Sequence, residues 1–243
     1  LWLPQVVASL TSQNRLINQI LAVDTGSTDS SVALLKGAKI PVLSLDREAG
    51  FGDAIWAAIQ TLPAPTSPEN EWLWILHDDC AMHPDALEKL LEALAQKPQA
   101  IMAGPKLLGW HDKSHLLEIG VSIASDGARW TGLEPREYDQ GQHDGVHDVL
   151  AVSTAGALVR RDAFVELGGF DPNLSLFRDD VDFGWRARAA GHSVMVATAA
   201  VAFHAQASAT ERRVVEVDGA FLHRPLLLDR RNAAYVLLAN SSW

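Results

Sequence analysis

The sequence predicts an α/β fold with a mainly parallel sheet and helices on both faces. Three observations carry that reading. From Asn18 to Gln96 a strand, a polar loop and a helix recur in that order. The apolar run Trp72-Leu73-Trp74-Ile75-Leu76 reads as a buried strand and ends abruptly in His77-Asp78-Asp79. With 243 residues, 48% of them hydrophobic, the chain can bury a core without staples.

Charge and cysteine content narrow the function classes. Thirty acidic against 20 basic residues give a formal charge of -10, which argues against a general nucleic-acid binder, because such binders neutralise phosphates with Lys and Arg. Any phosphate ligand is expected to come with a cation. A single cysteine, Cys80, excludes an internal disulfide and fits a reducing, cytoplasmic compartment. It reads as a small buried residue rather than a thiolate nucleophile, since no electropositive neighbour in sequence lowers its pKa. The longest uncharged apolar run, Val194 to Phe203, is too short to cross a bilayer, and neither a signal peptide nor a transmembrane helix is visible.

Leu1 to Leu10 reads as a helix, with Pro4 in its first turn and Leu3, Val6, Val7 and Leu10 on one face. Gln19 to Val23 is a strand running into Asp24-Thr25-Gly26-Ser27-Thr28-Asp29, ahead of a helix from Ser31 to Lys36. Two readings of that turn are open. It caps the helix, or it forms a nucleotide pocket in which Asp24 reads a base and Gly26 lets backbone approach. Pro41 to Leu45 is the next strand, and Gly50-Phe51-Gly52 precedes a helix from Ala54 to about Leu62. Glycines there leave room for a ligand against exposed backbone N–H groups. After a Pro-rich connector, the Trp72 strand delivers two carboxylates to an open edge, where a metal ion and its polyanion fit as well as a helix cap. The clearest helix follows from Pro84 to about Gln96, with Leu87, Leu90, Leu91 and Leu94 on one face.

Beyond the Ala100–Ala103 strand the texture changes at Gly104. Lys106–Trp110, Leu116–Ile123 and Val146–Val152 read as strands joined by polar loops rather than helices. The charged loop from Ala128 to Gly145 reads as a lid or a solvated surface. Ser153-Thr154-Ala155-Gly156-Ala157-Leu158-Val159 is small and apolar; a short helix and the Gly168-Gly169 turn come next. Phe177 to Arg188 is a helix whose first turn carries Asp179, Asp180 and Asp182. Dipole complementarity explains part of that acidity, and Asp182 with Arg186 has the spacing of an ordinary ion pair. Three carboxylates exceed what a cap requires, so one held ionised there is a candidate proton acceptor. His192 to Phe203 supplies the last strands and ends at His204, another metal-capable side chain. The tail, with Arg212, Arg213, Arg224, Arg230 and Arg231 near Phe221, Leu222 and Leu226 to Leu228, is the one markedly basic part. It reads as an amphipathic helix ending near Asn240, packed on the domain or set against anionic lipid or diphosphate.

Together these pieces resemble the inverting family 2 glycosyltransferases of GT-A fold, over about residues 1 to 206. Val23 to Asp29 is similar to the family's nucleotide-recognition turn, Gly50-Phe51-Gly52 to its glycine loop, and His77-Asp78-Asp79 stands at the DXD position. Thr154 to Arg160 with Gly168-Gly169-Phe170-Asp171 resembles the segment beneath the donor sugar, and Asp179-Asp180-Val181-Asp182 replaces a Glu-Asp pair. His204 matches a late metal-binding histidine. The phrasing is similar to actinobacterial enzymes that build cell-envelope polysaccharides. Two departures stand out. His77 holds the place of the first DXD aspartate, and nothing before Leu1 supplies the family's opening Val-rich strand, so a missing or truncated first strand is expected.

The resemblance implies a Rossmann-like three-layer sandwich, with a nucleotide-binding half to about residue 103, an acceptor half to 206, and a basic helical extension over 207–243. It implies a divalent cation, Mg2+ or Mn2+, on Asp79 and His204, and Asp180 as the base, supported by Asp179, Asp182, Trp185 and Arg186. Asp24, Gly26, Ser27, Gly50, Gly52 and Asp78 would meet the nucleotide, and Thr154, Ala155 and Gly156 the donor sugar. The implied partners are a nucleoside-diphosphate sugar and a carbohydrate or lipid-linked acceptor, with the reaction in the cytoplasm or at the inner face of the plasma membrane and the basic tail as a peripheral contact. A nucleotidyltransferase acting at the α-phosphate and a noncatalytic sugar-nucleotide binding module are the alternatives.

Overall fold

The computed structural model describes residues 1–207 and 224–241. Helix α1 (Leu3–Thr11) carries Pro4 in its first turn, as its spacing predicts. Strand β1 (Ala22–Asp24), helix α2 (Ser31–Gly37) and strand β2 (Val42–Ser44) then make a crossover whose two strands pair in parallel. Helix α3 (Phe51–Thr61) starts three residues before the expected Ala54, with the Asp53 carboxylate accepting the Gly50 N–H. Strand β3 (Trp72–Trp74) is shorter than its apolar run, and Ile75 continues it by donating to the Ala157 carbonyl.

Strand β4 (Cys80–Met82), for which the sequence carries no local cue, follows the acidic tip at once and leads into α4 (Ala86–Ala95). Cys80 is fully buried there, and burial pushes its thiol up, as expected of a structural cysteine. The two short strands expected on either side of Gly104 are one strand, β5 (Ala100–Gly109), buried along its length. The expected Leu116–Ile123 strand is instead split into β6 (Leu116–Glu118) and β7 (Ser122–Ile123), because Gly120 between them has φ +75°. Strand β8 (Arg129–Trp130) pairs back on β7, so the expected open loop begins as a hairpin. Strands β9 (Val146–Val149) and β10 (Leu158–Arg160), helices α5 (Arg161–Glu166) and α6 (Asp179–Ala189), strand β11 (Ser193–His204) and helix α7 (Pro225–Asn240) complete the order.

The main sheet has the order β3-β10-β5-β11-β4, with β6 added on β5 and β9 on β11; β1 and β2 stand as a separate pair. It is mixed: β5 and β11 run parallel, and the other pairs in it are antiparallel. Parallel neighbours need a long crossover, and beyond Gly104 short loops replace the helices, so antiparallel pairing takes over. Alternation along β11 builds two layers of core. Met195 and Ala197 face Leu87, Leu90 and Leu94 of α4, whereas Val194 and Val196 face Ile59, Phe164 and Phe183 on the other side. Helices therefore cover both faces, the α/β sandwich that the strand and helix rhythm predicts.

Helix α7 packs on α6 rather than standing apart as a tail. Its buried positions Pro225, Leu228, Asn232 and Val236 recur at helical spacing. Asp229 pairs with both arms of Arg178 at 2.6 and 2.8 Å, and the Asn240 amide donates to Asp182. Arg212, Arg213, Phe221 and Leu222 of the expected basic tail lie outside the described residues. Among the described residues no helix is long and apolar enough to cross a membrane.

Candidate functional site

One strand pairing assembles the first half of the site. Strand β4 runs antiparallel to the end of β11, with His204 opposite Cys80, so the tip before Cys80 folds back over His204. Donor atoms of His77, Asp79 and His204 consequently lie within 4.8 Å of one another. His204 Nε2 is 3.2 Å from Asp79 Oδ1, and the backbone N–H of Ala207 donates to Asp79 Oδ2 at 2.8 Å. Burial pushes the Asp79 carboxyl up, but His204 and the Ala207 N–H outweigh it and hold it well below the usual carboxylate range. An ionised carboxylate clustered with two imidazoles suits a divalent cation.

Helix α6 assembles the second half. Phe177 and Arg178 before it have φ of +66° and +69°, a left-handed pair that costs of order 1–3 kcal/mol per residue. Their hold is long-range. Asp229 and the Gly127 carbonyl bind Arg178, and the Asn232 amide donates to the Leu176 and Phe177 carbonyls. The helix start is thereby driven inward, leaving Asp179, Asp180 and Asp182 all buried. Asp180 Oδ2 meets Arg129 of β8 at 2.7 Å, and the same guanidinium reaches Glu118 at 2.8 Å. Asp179 Oδ2 is buried without a hydrogen-bond partner. Burial and the neighbouring Asp180 charge push the Asp179 carboxyl up to about 7.

The two halves are joined by hydrogen bonds. His77 Nε2 is 3.0 Å from Thr154 Oγ1, and the next residue back, Ser153, donates its N–H to Glu118, which holds Arg129 and through it Asp180. Thr154, from the segment expected beneath the donor sugar, therefore touches the cation-competent cluster, with Ala155 buried beside it. Gly156 has φ +145°, and its carbonyl accepts the Trp74 indole N–H.

Other expected site residues have mainly structural contacts. Asp24 accepts the Ser27 N–H at 3.2 Å and so caps its turn, while Arg47 donates to the Gly26 carbonyl. A side chain on Gly50 would meet Ser175 and one on Gly52 would meet Phe170, each at 3.1 Å, so packing explains both glycines. Asp78 is exposed beside the buried Asp79. Asp182 is occupied by Arg186 and Asn240, and Arg186 also donates to the Leu167 and Gly169 carbonyls, clamping the double-glycine turn. Trp185 packs against the cluster of Val121, Leu174 and Val236. The segment over 128–145, expected as a lid or a solvated loop, is anchored, because the buried Lys106 ammonium binds Asp139 and Asp144, each at 2.8 Å.

Arg129, Glu118 and Arg178 were missed as site residues. Their signal lies in tertiary partners, and nothing in their own sequence neighbourhoods marks them. His77 reads from the sequence both as part of a metal-capable tip and as a departure from the family's carboxylate, and the structure places its ring in the cluster.

Residues 7–216 match the family model described as glycosyltransferase like family 2. An N-acetylglucosaminyl-diphospho-decaprenol L-rhamnosyltransferase of Mycobacterium tuberculosis is 26% identical over 236 residues, spanning 86% of this chain and 74% of the relative. Among solved structures, GalNAc-T7 with UDP, GalNAc and Mn2+ aligns with a TM-score of 0.64 at 15% identity, over 84% of this chain and 41% of its own. The mannosyltransferase PcManGT from Pyrobaculum calidifontis, in complex with GDP-Man and Mn2+, gives 0.58 at 13% identity, over 100% of this chain and 72% of its own. The structural likenesses are of fold, the GT-A architecture.

Proposed function

The chain belongs to glycosyltransferase-like family 2, and from that membership we propose that it moves a sugar from a nucleoside diphosphate to an acceptor hydroxyl with inversion at the anomeric carbon. The observation that carries the proposal is the cluster of Asp79, His204 and His77, tied through Thr154, Ser153, Glu118 and Arg129 to Asp180. Asp79 and His204 would hold a divalent cation, Mg2+ or Mn2+, which supplies Lewis-acid stabilisation of the departing diphosphate.

Asp180 takes the acceptor proton as the acceptor oxygen bonds to the anomeric carbon, while the bond from that carbon to the diphosphate breaks on the opposite face. Arg129 orients the Asp180 carboxylate, and the neutral form of Asp179, favoured below about pH 7, avoids a second negative charge beside it. Thr154 to Gly156 border the donor sugar, and Asp24, Gly26 and Ser27 at the end of β1, with Asp78 at the tip, meet the nucleotide. The Gly50 to Gly52 turn supports that side, because Phe51 between the glycines packs its ring edge-on against His77 at 5.2 Å.

The acceptor is a carbohydrate or a lipid-linked saccharide of the cell envelope, in keeping with the diphospho-decaprenol named for the mycobacterial relative. The reaction then takes place at the cytoplasmic face of the membrane. Exposed Leu226, Leu227 and Leu238 on α7, with Arg224 and Arg230, offer a peripheral contact.

Asp180→Asn is expected to keep donor binding and lose transfer by roughly 10²–10⁴-fold. Near wild-type transfer by that variant would remove Asp180 from the base role. Release of pyrophosphate instead of nucleoside diphosphate would replace sugar transfer with nucleotidyl transfer, and donor binding without turnover would leave a binding module.

A further inference from the structure

His77 occupies the position where two carboxylates in series would make an oxygen-rich site, yet its ring lies in the cluster rather than outside it. Its centroid is 5.6 Å from that of His204, with the planes at 68°, and its donor atom belongs to the set within 4.8 Å that includes Asp79. Neighbouring side chains hold the ring. Thr154 Oγ1 sits 3.0 Å from Nε2, and Phe51 packs edge-on at 5.2 Å. A hydroxyl against one ring nitrogen is the kind of outer contact that orients a ligating imidazole, and a ring held in place gives up little freedom on binding a cation.

We propose that His77 is a cation ligand, and that it makes the site a two-imidazole, one-carboxylate centre selecting first-row transition-metal ions over Mg2+. The inference rests on the proposed cation site at Asp79 and His204. Its chemistry follows from the donor set. Mg2+ favours oxygen ligands in near-ideal octahedra and keeps much of its water, whereas imidazole nitrogen favours the transition series, with affinity rising from Mn2+ to Co2+ and beyond. Replacing the first carboxylate of the tip by an imidazole also removes one negative charge, which weakens a hard cation more than a softer one.

The test is direct metal binding to the full chain, with no sugar donor present. Titration calorimetry with Mn2+, Co2+ and Mg2+ is expected to give Mn2+ affinity roughly tenfold or more above Mg2+, and Co2+ tighter still. His77→Asp should narrow the Mn2+ to Mg2+ ratio by about tenfold, chiefly by strengthening Mg2+. Pulsed electron paramagnetic resonance of bound Mn2+ should detect nitrogen couplings from two imidazoles in the wild type and one in His77→Asp. His77→Asn is the companion if the aspartate variant unfolds; it should lose one nitrogen coupling and weaken Mn2+. Equal Mg2+ and Mn2+ affinity in the wild type, no binding of either ion, or an unchanged nitrogen count on substitution would each overturn the assignment. Two-nitrogen Mn2+ binding without sugar transfer would sink the proposed reaction and leave this site standing, while transfer with a one-nitrogen cation would do the reverse.

Discussion

Removing the Arg129 guanidinium should expose how the acidic helix is held. Its two contacts, 2.7 Å to Asp180 and 2.8 Å to Glu118, reach carboxylates whose side chains are only 7% and 11% exposed. Arg129→Met leaves both facing the space of a lost cation. Breaking a buried pair by deleting one partner costs about 3–5 kcal/mol, because the remaining charge stays uncompensated. The Arg129 side chain is itself 27% exposed, so solvent screens part of the interaction and the lower end, about 3 kcal/mol, is expected near pH 8. For a chain of this size that is a fall in Tm of roughly 6–12 °C.

Urea unfolding at pH 8, followed by tryptophan fluorescence, measures that deficit. Arg129→Lys keeps the charge without the two-way fork and should fall between wild type and Arg129→Met. A deficit below about 1 kcal/mol for Arg129→Met would refute the idea that a buried ion pair anchors this helix.

Two further outcomes follow from the same region. Asp179 has its folded pKa raised from 3.8 to about 7, so the stability it contributes is fully present below about pH 4 and drains as pH rises through 7. Asp179→Asn cannot ionise and should flatten that decline between about pH 4 and 7; parallel stability curves for the two proteins over that range would count against it. A Cβ on Gly184 would lie 2.1 Å from the Leu150 carbonyl oxygen, so Gly184→Ala must push α6 off the β9–β10 connection. A loss of about 1–3 kcal/mol, with transfer falling further as Asp179 and Asp180 move, is expected from denaturant melts and activity, and a wild-type melt would exclude the clash.

Much of the fold is legible because its cues are local. The leucines of α4 repeat every three or four residues, and the parallel β1–β2 crossover follows from a strand, a capped turn and a helix read in order. The acidic tip after Trp72 and the carboxylate-rich start of α6 are likewise visible as charge where an apolar segment stops. Register and partners are another matter. Cys80 to Met82 has too few residues for a period, and only pairing with β11 makes it a strand. Pairing alone brings His204 to Asp79 across 125 residues of chain, and only that meeting shows His77 to be more than a lost carboxylate.

By itself the sequence determined the α/β class, the amphipathic helices and the acidic ends of a strand and a helix, because each depends on side chains within a turn or two of one another. The tertiary structure decided that Arg129 faces Asp180, that α7 holds Arg178 in a left-handed conformation, and that two histidines flank one buried aspartate. Those contacts are chosen by sheet order and helix docking, where burial of whole faces sets which distant residues meet, and no local period carries that choice.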